Sequence, residues 1–80
     1  MLQYKAGYQF VAGGVHAQVL DFPAVITCAG DFEEARKSLA AALVDVAETC
    51  LGLGQPLSIP DPRLSDPEMD LEEPIHLHLV

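Results

Sequence analysis

Four carboxylates stand near one another in the middle of the chain. Asp21 lies in Leu-Asp-Phe-Pro-Ala, and Asp31, Glu33 and Glu34 lie in Gly-Asp-Phe-Glu-Glu-Ala. Carboxylates converging on a divalent cation are the chemistry of metal-assisted hydrolysis, but these positions have a simpler explanation. Asp31 precedes an apolar run with helical spacing and reads as an N-cap, with Glu34 three residues on giving an acidic variant of the capping box. Glu33 and Glu34 suit the positive end of a helix. His76 and His78, two apart in a strand-like run, could begin a zinc site, with His16 joining them if the terminal strand lies alongside the second. The alternative is the solvated face of an edge strand. Cys28 would need a neighbouring base to act as a nucleophile; it stands in an apolar run with none near in sequence and reads as a packing thiol. Gly13-Gly14 and Gly52-Leu53-Gly54 lack the glycine-rich loop, helix and Lys of a phosphate cradle. These residues point to no catalytic site, no cofactor and no metal centre.

The elements that would hold these residues follow from periodicity. Tyr8 to Ala12 alternates as a strand, with Tyr8, Phe10 and Ala12 on one face, and Leu2 and Tyr4 before an interrupting Gly7 could prefix it. Gly13-Gly14 fits a two-residue hairpin turn. Val15 to Leu20 is a second strand, with Val15, Ala17 and Val19 sharing a face. Pro23 breaks it, and Val25 to Cys28 is a third, β-branched strand. After Asp31, apolar residues at 32, 35, 39, 43, 46 and 50 make a helical stripe. Glu33 and Lys37 are spaced for an ion pair, and Gly52 and Gly54 mark the end. Pro56, Pro60 and Pro62 enforce an extended crossing that Leu57 and Ile59 could seat on the core. Arg63 to Pro74 reads as an acidic loop or linker. Ile75, Leu77 and Leu79 then alternate with His76 and His78 as a terminal strand, able to pair with its own sheet or with a neighbouring subunit.

Composition narrows the class. Eighty residues, half of them apolar, make one small domain. Such a domain is marginal alone, which favours burial shared between subunits. The net charge is −8, from 12 acids and 4 bases. That argues against direct nucleic-acid binding, which needs clustered Lys and Arg, and suits a basic partner. Cys28 and Cys50 flank most of a helix, too far apart to bridge, so two free, mostly buried thiols in a cytoplasmic protein are expected. No signal peptide and no membrane span is evident.

Three pieces in order resemble one family. Leu20-Asp21-Phe22-Pro23-Ala24 is similar to the Pro-Asp-Leu-Pro-Gly turn of HicB-like antitoxins. Gly30 to Ala35 is similar to their Gly-Asp-Thr-x-Glu-Glu-Ala, and Gly54-Gln55-Pro56 through Pro60 resembles their Gly-x-x-Ile-Pro-x-Pro tail after the helix. The resemblance spans Tyr8 to Pro62, with Leu20, Ala24 and Phe32 departing from the pattern. It implies an α+β, partial ribonuclease-H-like fold, βββαβ: a three-stranded antiparallel meander, one long helix and a further C-terminal strand. Residues 1–62 would form that domain, and 63–80 an acidic linker with the terminal strand. A metal site in such a fold needs a carboxylate on the first strand, and Tyr8 to Ala12 carries none. The resemblance also implies a non-catalytic part in a type II toxin–antitoxin pair. There the HicB-type protein masks a small basic HicA-type ribonuclease and often self-associates. Full antitoxins of the family usually add a C-terminal DNA-binding domain; the acidic residues after Pro62 offer no basic recognition helix. The expected partner contacts are Asp21, Phe22, Pro23, Asp31, Glu33 and Glu34, with the acidic 66–73 stretch. The expected contacts for self-association are Ile75, Leu77 and Leu79.

Overall fold

The structure is a computed structural model and describes residues 2–79. The chain runs through β1 (Leu2–Val11), β2 (Gly14–Val19), β3 (Ile26–Ala29), α1 (Phe32–Gly52) and β4 (Leu71–Leu77). The class is α+β with one helix, as expected. The sheet differs: all four strands join one antiparallel layer in the order β3-β2-β1-β4, rather than three strands with a further one beside them.

β1 is long because Gly7 does not interrupt it. Tyr4, Ala6 and Tyr8 alternate onto the helix face and are buried. Gly7 faces the other side, where a Cβ would stand 2.8 Å from Met69 Cγ and 3.1 Å from Leu20 Cδ2. The glycine makes room for the returning chain. Val11 pairs with Gly14, so the hairpin turn is Ala12–Gly13, one residue earlier than expected. Gly13 has φ 84°, the positive value that the third position of a type II turn requires.

α1 begins where the sequence placed it. Asp31 Oδ1 accepts from Glu34 N at 2.8 Å. Ala35, Leu39, Leu43 and Ala47 are buried along the centre of the stripe, with Phe32, Val46 and Cys50 partly buried beside it. They pack on Tyr4, Ala17, Val19, Val25, Ile75 and Leu77. Each fully buried leucine contributes roughly 1.5–3 kcal/mol. Gln55 N donates to Cys50 O and Gly54 N to Leu51 O, a Schellman stop with Gly54 at φ 72°.

β4 starts at Leu71, not Ile75, and runs through Pro74. Lys5 is paired with Pro74. Lys5 N donates to Asp21 Oδ1 and Lys5 O accepts from Leu20 N. Both backbone groups of Lys5 are therefore turned toward β2, and Pro74 owes β1 no donor. Its missing N–H falls on the free edge of the sheet, where proline is tolerated. The terminal strand thus pairs with its own sheet, and Ile75 and Leu77 enter the core.

The segment before β4 is pinned rather than loose. Leu57 packs against the core, and Tyr4 Oη donates to Ser58 O at 2.7 Å. Ile59 does not help to seat it and is 87% exposed. Asp70 N donates to Tyr8 O, and Phe10 N donates to Asp70 Oδ2. Helix and returning chain cover only part of the sheet. Cys28, on the uncovered face of β3, is exposed and Cys50 only half-buried, which corrects the expectation of buried thiols.

Candidate functional site

The turn after β2 presents less than its sequence suggests. Asp21 is 8% and Phe22 4% exposed, so both point inward, while Pro23 and Ala24 are exposed. Phe22 packs on Tyr4, with ring centroids 5.5 Å apart. Asp21 acts as a clamp: Oδ1 accepts from Lys5 N and Oδ2 from Asp61 N, each at 2.9 Å. One carboxylate thereby ties β1, the turn and the crossing segment together. Bonds to an ionised acceptor are among the stronger ones available.

The acids at the start of α1 stay on the surface. Asp31 caps the helix. Glu33 pairs with Arg36 at 3.5 Å, not with Lys37 as its spacing suggested. The reason is Arg36, which is anchored by Glu73 of β4 at 2.9 Å and swings within reach of Glu33. The acids near Glu72 are partly spent within the chain: its Oε2 accepts from Ser65 Oγ and Asp66 N.

Reasoning from sequence missed the cluster that fastens β4 to the helix. Tyr8 Oη and Arg36 Nε both donate to Glu73 Oε1 at 2.9 Å. The Phe32 ring stands 4.9 Å from that of Tyr8, and the Arg36 guanidinium lies 5.4 Å over it. Burial first, then the Glu73 carboxylate, push the Tyr8 hydroxyl well above its ordinary pKa of 10.0, and Arg36 pulls against them. Glu73 in turn raises the Arg36 guanidinium. No local signal could have revealed this set, because its members come from three elements.

The histidines do not converge. His76 pairs with Gln3 across β1 and β4, while His16 pairs with Gln9. Six residues of strand separate them by roughly 20 Å. Among the described residues no group of three or more His, Cys, Asp and Glu could hold a metal ion. His16 does lie directly across from Cys28 in the β2–β3 register, a base that the sequence did not place near the thiol.

Two depressions flank β4. One, about 410 Å³, runs between α1 and the strand and includes Arg36, Lys37, Pro74, His76 and His78 in its lining. The other, about 360 Å³, includes Gln3, Lys5, Pro62 and Glu72. There Lys5 Nζ is already engaged, donating to Leu64 O at 2.6 Å and Pro62 O at 3.3 Å. No helix of the described residues is long and apolar enough to cross a membrane.

The chain was compared with family models and with curated proteins, and nothing matches it in either. Among solved structures, it is similar to the crystal structure of the N-terminal domain of Burkholderia pseudomallei antitoxin HicB. The TM-score is 0.79 at 18% identity, over 98% of this chain and 100% of that one. At that identity the likeness is one of fold: the chain is a HicB-like domain in architecture from end to end.

Proposed function

We propose that this chain is a non-catalytic interaction domain of the HicB antitoxin type, which binds and neutralises a small basic ribonuclease toxin of the HicA type. One observation carries the reading. The fold likeness to an antitoxin domain covers 98% of the chain, and the turn and helix-start motifs that resemble the same family lie between β2 and β3 and at the start of α1. The net charge of −8 favours a basic partner. The contact surface in this reading is the exposed Pro23, with Asp31, Glu33 and Glu34 at the helix start, while Asp21 and Phe22 hold the turn from inside. The partial ribonuclease-H-like topology, a cytoplasmic location and self-association belong to the same proposal. Ile75 and Leu77 are committed to the core, so Leu79 and exposed apolar residues such as Leu53 would serve self-association. A single-chain mass by light scattering at micromolar concentration removes that part.

The test is co-expression with each small basic protein encoded beside the chain, reading co-purification and relief of growth arrest. A stoichiometric complex that salt weakens is the expected result. Failure of all of them to bind, together with RNA cleavage by the purified chain on adding magnesium or manganese, would replace the reading with a metal-dependent nuclease.

A further inference from the structure

The backbone bonds of β2 show which groups of β3 are free. Val19 N donates to Val25 O, and Leu20 N donates to Lys5 O. Odd-numbered residues of β2 therefore bond toward β3 and even-numbered ones toward β1. In the β2–β3 register, Val15 with Ala29 and Ala17 with Thr27 are the hydrogen-bonded pairs. The N–H and C=O groups of Ile26 and Cys28 point away from the sheet. The strand Ile26-Thr27-Cys28-Ala29 has no charge and no proline, and the Ile26 side chain is 51% exposed. Edge strands are normally blunted by shortness, charge, proline or a bulge; this one is short, at 4 residues, but carries neither charge nor proline.

The charge beside this edge is of one sign. α1 packs chiefly on β2 and β3. At 3.6 residues per turn, Ser38, Ala42 and Thr49 occupy the flank opposite Arg36 and Ala40, which line the depression toward β4, and Glu34 and Asp45 stand above that flank, about 140–160° round from the buried stripe. Glu34 Oε2 lies over Gly30, 3.7 Å from where a Cβ would stand. The cations are held elsewhere. Lys5 is bound to Pro62 and Leu64, Arg36 to Glu73, and Arg63 to Asp61, while Lys37 borders His76 and His78. A second copy placed on a two-fold axis here would set this acidic flank against its own equivalent, with no cation of the flank between them.

We infer that the β3 edge is the docking line for an extended basic segment of a partner protein, added to the sheet as a further strand. The inference rests on the basic partner proposed above and names the surface that receives it. The incoming strand would pair with the free backbone groups of Ile26 and Cys28. Its side chains alternate by face. Those on the outer face meet Ile26 and Cys28 and should be apolar; those on the helix face lie below the flank of α1, where a long Lys or Arg side chain can extend toward Glu34 and Asp45, and should be basic. Main-chain bonds supply affinity and the alternation supplies selectivity.

The probe is a peptide of about eight residues, a common strand length, alternating lysine and valine, titrated into the isotope-labelled chain. Amide shifts should centre on Ile26 to Ala29 and fade as salt rises. Asp45→Lys should weaken binding roughly fivefold or more. Ile26→Pro should abolish it while leaving the ladder to β2, because the lost N–H points outward. An absence of shifts, or shifts centred on Leu71 to Leu77, overturns the inference. A dimer of the peptide-free chain that Ile26→Pro dissociates also overturns it, by giving the edge to a second copy. The two proposals fail separately. A toxin complex indifferent to both substitutions removes the docking line and leaves the antitoxin reading. Peptide binding at β3 with no toxin partner supports the docking line and removes the antitoxin reading.

Discussion

The two edges of the sheet have opposite characters. β4 carries Pro74 near its middle with Glu72 and His76 on either side, and Glu73 fastens the strand to Tyr8 and Arg36. β3 is a short uncharged strand whose outward backbone groups are unpaired among the described residues, with Glu34 near its end at Gly30. The difference is also one of origin. β3 follows β2 through a tight turn, whereas β4 arrives after the crossing segment and is held by contacts made across most of the chain. Without β4, the long strand β1 would itself be an edge, with Tyr4 and Tyr8 under-covered. The chain uses its final segment to close one side of the sheet and leaves the other able to pair.

The largest way to break this comparison is to attack β4 from inside. Leu77 is 1% exposed, and Leu77→Ala should cost about 2–5 kcal/mol, read as a single lowered thermal transition. If β4 were an accessory strap, the substitution would fray the strand and spare the main transition. Asp21→Asn comes next. The amide keeps one acceptor oxygen and turns an NH2 group toward a backbone N–H, so roughly 1–3 kcal/mol should be lost. Hydrogen exchange should quicken at Lys5 and Asp61 together. Loss of protection at only one of them would show that the carboxylate is not a shared clamp.

These expectations mark what the sequence could and could not disclose. Local chemistry was legible. Asp31 caps the helix, Val15, Ala17 and Val19 share the buried face, and the helical stripe faces the sheet, because each depends on neighbours within a few residues. The role of Asp21 was not, since its donors at Lys5 and Asp61 are distant in sequence. Nor was the start of β4: an acidic stretch with a proline looks like a loop until pairing shows that Pro74 falls at an outer position. Cys28 misled in another way. An apolar strand looks buried, but a single helix covers one face of a sheet, and Cys28 is on the other. The candidate site repeats this pattern, for the surface acids were legible as helix-start residues, while the open edge between β3 and solvent appears only from the ladder.

Acid should act on the β4 side first. The Glu72 carboxylate is held below the ordinary glutamate value of 4.5, chiefly by the Asp66 N–H, then by the Ser65 hydroxyl, with Lys5 adding to the same direction. A carboxyl whose folded pKa is depressed contributes stability above its unfolded value, and that contribution is lost as pH falls through the folded value. Melting temperature should therefore drop as pH is lowered below about 4.5, and Glu72→Gln should flatten that drop. The Ser65–Asp66 turn should loosen in the same window, seen as faster exchange of the Asp66 amide. An unchanged acid slope in Glu72→Gln would assign the acid sensitivity to other carboxylates.

The smallest effect on stability should carry the sharpest information about the edges. Pro74→Thr restores an N–H at the outer side of β4 and leaves the bonds to β1 untouched, since Pro74 opposes Lys5, whose own groups are turned toward β2. Stability should move by less than about 0.5 kcal/mol, as for most surface changes. If proline is what closes this edge, the alternating lysine–valine peptide should now shift amides at Leu71 to Leu77 as well as at Ile26 to Ala29. If β4 stays silent, its closure comes from the anchored Glu72 and Glu73 and from His76, whose side chains flank the strand. Pairing at β3 would then depend on the absence of such groups along Ile26-Thr27-Cys28-Ala29, and Cys28→Glu, on the outer face that receives the valines, should weaken pairing while Cys28→Ser leaves that face able to pair.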